Sequence, residues 1–77
     1  MAKNTAMIIA ENIRIQMAIN NIHVTDMANN IGISRNTITN LKSGRMKMIQ
    51  IRTLENVANY FEITVGELVT EHHLGVS

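Results

Sequence analysis

The chain has no cysteine, no proline and no tryptophan, and only one tyrosine and one phenylalanine. Without cysteine there is neither a disulfide framework nor a thiolate metal site, and a reducing compartment is unobjectionable. Without proline, and with few aromatics, the composition suits a compact all-helical domain whose core is filled by Met and Ile. No apolar run approaches the roughly 18 residues of a membrane-spanning helix, and no charged-apolar-small signal opens the sequence. Neither a membrane span nor secretion is therefore expected. Catalytic constellations are missing too: no cysteine nucleophile, no carboxylate pair on one face, no glycine-rich phosphate loop and no HExxH-like spacing. His72 and His73 are adjacent but lack a third ligand, so no metal site is expected. The reading is of a non-enzyme with no cofactor and no small-molecule substrate.

What is present is a chain of 77 residues with a net charge of +1. That length suits one small domain over 1–77, near the lower size at which a single core is self-sufficient. The charge is segregated. Between Met27 and Leu54 lie Arg35, Lys42, Arg45, Lys47 and Arg52, with no Asp or Glu among them. The acids flank that span: Glu11 and Asp26 before it, Glu55, Glu62, Glu67 and Glu71 after. A basic middle between acidic ends is the electrostatic footprint of one face meeting phosphate. A charged surface kept for solubility does not predict such segregation.

The most informative stretch is Val24 to Gly44, VTDMANNIGISRNTITNLKSG. Val24, Met27, Ala28 and Ile31 share one face of a short amphipathic helix over 24–30. Gly32 can take positive φ and end it. Ser34 is a good N-cap for a second helix over 35–43. Thr37, Ile38 and Leu41 fall on one side of that helix; Arg35, Asn36, Thr39, Asn40 and Ser43 fall on the other. Two short helices joined by a glycine turn, spanning about 24–43, have the layout of a helix-turn-helix. A major groove accepts such a helix, and its base edges match these side chains: Arg for guanine, Asn for adenine, Thr for a hydrogen bond or a thymine methyl. Arg35, Asn36, Thr39 and Asn40 are the candidate base readers.

The run Met27-Ala28, Ile31-Gly32-Ile33-Ser34-Arg35, Thr37-Ile38-Thr39 and Gly44-Arg45 resembles the Cro and phage-repressor type of helix-turn-helix, the XRE family. The likeness continues through Leu54 and Ala58, then Ile63-Thr64 and Glu67-Leu68, and covers roughly Ile13 to Val69. It implies an all-α, five-helix, lambda-repressor-like domain that regulates transcription, as in a phage or prokaryotic switch, within the cytoplasm of a prokaryotic host. The implied partners are a double-stranded DNA operator and a second copy or another regulator. The ends of the helix-turn-helix and the loop after it run beside the DNA backbone in this family. Lys42, Ser43, Arg45 and Lys47 are accordingly the expected phosphate contacts. Two positions depart from the family pattern. Val24 stands where a phosphate-contacting Gln is common, and Met17, set to face Lys42, stands where an Arg pairs with a Glu of the recognition helix. His23 occupies the usual Ser or Thr cap.

The remaining helices follow from periodicity and caps. A first helix is expected over 5–20, capped by Thr5, with Ala6, Ile9, Ala10, Ile13 and Met17 inward and a break at Asn20-Asn21. A fourth runs over 51–61, with Ile51, Leu54, Val57, Ala58 and Phe61 on its core face. Thr64 and Glu67 form a capping box for a fifth over 65–70, with Val65, Leu68 and Val69 inward and a tail over 71–77. Arg45 to Gln50 alternates basic and apolar residues, but without a partner strand it reads as a loop. On the first helix, Ile8, Ile15 and Ile19 fall at about 260°, 240° and 280°, counted at about 100° per residue from Ile9. That is nearly opposite the core stripe. Either this helix rotates or ends early to bury them, or they dock on a partner. The second possibility keeps open a different function, a protein-interaction module on the same scaffold that modulates a repressor or toxin by binding it.

Overall fold

A computed structural model describes residues 4–46 and 48–71. Its five helices are α1 (Thr5–Ile19), α2 (Val24–Ile31), α3 (Arg35–Ser43), α4 (Ile51–Tyr60) and α5 (Val65–Leu68). No strand occurs among the described residues, and the chain after Gly44 runs as a loop. Helix α1 packs against α3 and α5, α2 against α3 and α4, and α4 against α5.

The local chemistry accounts for each boundary. Asn4, not Thr5, caps α1: its Oδ1 accepts from the Met7 amide at 2.8 Å. Asn is the better N-cap of the two, and capping from position 4 places Thr5 in the first turn. At the other end Asn21 takes φ 53°. The Ile22 amide reaches back to the Met17 carbonyl and that of Asn21 to Ala18, a Schellman closure in which Asn tolerates the left-handed position. The helix therefore ends at Ile19, one residue before the expected limit. Gly32 closes α2 at φ 84°. The Ser34 hydroxyl opens α3 by accepting from the Thr37 amide at 3.1 Å. Thr64 and Glu67 close the expected capping box on α5. That helix is shorter than expected, because Val69 and Thr70 leave helical geometry after a single capped turn.

Ile9, Ala10, Ile13 and Met17 of α1 meet Met27 and Ala28, Ile38 and Leu41, Val57, Ala58 and Phe61, and Leu68 in one apolar core. Val24, Ile31, Leu54, Val65 and Val69 pack around its edge. Two expectations are corrected. Ile51, placed on the core face of α4, is 63% exposed, because it is the first residue of that helix and projects past the end of the core. Ala6 is only half-buried, since it lies in the first turn of α1, at the rim of the packed face.

Ile8 and Ile15 are half-buried but do not join the core, and Ile19 is 69% exposed. The end of α5 crosses this face, so the stripe is partly covered by the chain itself and Ile19 is its exposed end. Between Ile8 and Ile15 sits Asn12, a residue the apolar pattern does not single out. It is 4% exposed, and its Nδ2 donates to the carbonyls of Leu68 at 2.6 Å and Thr70 at 2.9 Å, with a longer contact to Glu67. The end of α5 is thereby fastened across α1.

Candidate nucleic-acid interface

Helix α3 stands on its apolar side. Ile38 and Leu41 are fully buried beneath it, while Arg35, Asn36, Thr39, Asn40 and Ser43 are exposed along the opposite side. The structure thus brings all four candidate base readers onto one solvent-facing strip nine residues long. The strip begins at a depression between the starts of α2 and α3, lined by Val24, Thr25, Ser34, Arg35, Asn36 and Thr39. The Ser34 and Thr37 hydroxyls lie 2.8 Å apart and join the cap to the first turn.

At its far end α3 meets α1. Gly44 takes φ 76°, and a Cβ there would lie 3.4 Å from the Met7 Cα and 3.6 Å from the Ala10 Cβ. Those are ordinary contact distances, so glycine is needed at this point for the left-handed turn, while α1 packs directly against it. Next to it, Arg14 Nη1 donates to the Lys42 carbonyl at 3.1 Å. Met17, expected to face Lys42, is instead buried in the core. The link between α1 and the end of α3 is made one turn earlier, to backbone rather than to a side chain.

The basic residues differ in what they are free to do. Arg45 is exposed on the loop and Lys42 is half-buried; Lys47, with its expected phosphate contact, lies outside the described residues, as do His72 and His73. The Ser43 hydroxyl donates to the Asn40 carbonyl at 2.6 Å and accepts from the Arg45 amide at 3.2 Å. These two bonds make Ser43 part of the corner that ends α3. At the start of α2, His23 makes no side-chain cap bond, which leaves the first amides of that helix without a side-chain acceptor. Val24, in the place of the family's Gln, is half-buried and packs on the core edge.

Against known protein families, residues 12–70 match the family model of the Cro/C1-type HTH DNA-binding domain. The chain belongs to that family. No curated protein and no solved structure matches it. The Cro/C1-type match begins at Asn12 and ends at Thr70, the two residues that α1 and the end of α5 join by a hydrogen bond. It takes in the whole helix-turn-helix, the second half of α1, and α4 and α5. A DNA-binding regulator of this type presents its second motif helix outward, and here that helix is α3. The signals behind its polar strip were legible in the sequence: a cap, a glycine and a period. Arg14 was not, because its acceptor is a main-chain carbonyl that any residue could supply. Among the described residues no helix is long and apolar enough to cross a membrane.

Proposed function

We propose that this protein is a sequence-specific transcription regulator, of the kind used in phage or prokaryotic genetic switches, and that α3 enters the major groove of its operator. The observation that carries the reading is the outward strip of Arg35, Asn36, Thr39 and Asn40 over a buried Ile38 and Leu41. Forked and paired donors on a protruding helix are what base edges in that groove require. Lys42, Arg45 and Lys47 supply phosphate contacts, with Ser43 holding the corner that aims Arg45. The uncapped amides at the start of α2 add a neutral phosphate contact in place of the family's Gln. Binding as a dimer to a two-fold related site extends an interface that is small for one copy.

Selection of duplexes from a random pool tests this. The expected result is one enriched sequence bound far more tightly than its scrambled form, with affinity falling steeply as salt rises. A pool that yields no enriched sequence overturns the reading.

A second reading, a protein-interaction module that modulates a repressor or toxin, is favoured by one specific feature. Ile19 is 69% exposed, and Ile8 and Ile15 on the same face of α1 stay outside the core. In that case a partner regulator covers the α1 stripe and DNA contributes little. Affinity for a partner that persists when α3 is stripped of Arg35 and Asn40 supports this reading over the first.

A further inference from the structure

We infer that Arg14, which lies off the DNA-facing strip, is a positioning residue for base readout; the inference rests on the DNA-reading role of α3. Helix geometry leaves the last four carbonyls of α3, those of Asn40 to Ser43, without donors inside the helix. Three of them are answered here. The Ser43 hydroxyl donates to Asn40, the Gly44 amide to Leu41 at 3.4 Å, and Arg14 Nη1 to Lys42. Only the last of these donors comes from another helix.

Arg14 acts together with the turn beside it. Met7, Ala10 and Arg14 follow one another along a single face of α1 at steps of three and four. The first two meet Gly44 and the third holds Lys42. That face of α1 therefore holds the end of α3 at Lys42 and at the corner, Gly44. A positive charge at this end is also favoured by the helix dipole.

The consequence is for Thr39, Asn40 and Ser43. A helix as short as α3 is marginal by itself, and its last turn frays unless tertiary contacts hold it. The Ser34 cap fixes the first turn, near Arg35 and Asn36. Arg14 does the same for the last, and so sets the direction in which Asn40 and Thr39 leave the helix. Paired donor and acceptor contacts to a base tolerate little misplacement, whereas phosphate attraction tolerates much. Loss of the tether should therefore weaken specific binding more than non-specific binding.

Arg14→Met, which keeps the aliphatic stem and removes the donors, and Arg14→Lys, which restores a charged donor, make the test. DNA from the wild-type selection and its scrambled form are the two probes. The expected result for Arg14→Met is a loss of about three- to tenfold on the selected duplex and little change on the scrambled one. The salt slope should stay the same, and Arg14→Lys should recover part of the loss. In the free protein the carbonyl carbon resonance of Lys42 should move in Arg14→Met and return toward wild type in Arg14→Lys. Equal losses on both duplexes, with a slope smaller by about 1, would make Arg14 a phosphate contact and overturn the inference. An unmoved Lys42 carbonyl with unchanged specificity overturns it as well. If the wild type selects no sequence, the DNA-reading role itself fails and this inference falls with it.

Discussion

Asn12 and Arg14 are polar residues on a helix otherwise occupied with apolar packing, and each secures a neighbouring helix by its carbonyls. Neither was legible in the sequence, because a main-chain acceptor leaves no trace in residue identity. Asn12→Leu should destabilise the protein by about 1–3 kcal/mol, since the α5 carbonyls lose their buried donor. Chemical denaturation measures this, and an unchanged midpoint would show that water replaces the amide. The residues that were legible are those defined by chemistry and period together: Arg35, Asn36, Thr39 and Asn40 were expected outward and are outward. For the loop cations, Arg45→Ala and Lys47→Ala should each weaken binding to all sequences alike. Each should also shrink the log–log salt slope by about 1. Slopes unchanged in both variants would remove the loop from the DNA backbone.

At the scale of elements, the caps decide where helices begin and end. Ser34, Gly32 and the Thr64–Glu67 box are legible from residue type and spacing, because each satisfies backbone groups in a fixed local pattern. Asn4 is not legible as the cap of α1, because Thr5 beside it is also a competent cap and residue type does not choose between neighbours. Helix α4 closes in a way residue type gives no hint of. Glu62 takes φ 58°, with the Glu62 amide on the Asn59 carbonyl and that of Ile63 on Ala58. This is a Schellman closure built on a non-glycine residue, which holds Glu in a left-handed conformation at a cost. Glu62→Gly should therefore raise stability by about 0.5–1 kcal/mol, by relieving that conformation more than it loosens the unfolded chain. A lower melting temperature would show that the Glu62 side chain contributes more than its backbone costs. Gly44→Ala is the converse case. Its added Cβ would make only ordinary contacts with Met7 and Ala10, but φ 76° strains an L side chain, so it should destabilise.

At the scale of the whole molecule, the helix periods give the single core and its five contributors, and the structure adds which apolar residues are left over. Ile51 and Met48, 63% and 88% exposed, lie at and just before the start of α4, where no helix covers them. The α1 stripe was legible as a surplus because three isoleucines opposite a complete core stripe exceed what one small core holds. That the end of α5 crosses it at Asn12 was not legible, since the acceptors there are main-chain carbonyls. Ile15→Lys with Ile19→Ser should leave the fold intact, and if the stripe joins two copies the variant should sediment as a monomer at concentrations where wild type associates. Unfolding would instead make the stripe part of the fold's own packing.

Single base-pair changes in the selected duplex decide whether α3 reads bases. With wild-type protein, one position should cost about 1–3 kcal/mol when its base pair is altered. With Arg35→Ala that same position should become indifferent, while the penalties at other positions persist. If Arg35→Ala, Asn36→Ala, Thr39→Ala and Asn40→Ala each keep the full wild-type discrimination at every position, α3 does not read the operator.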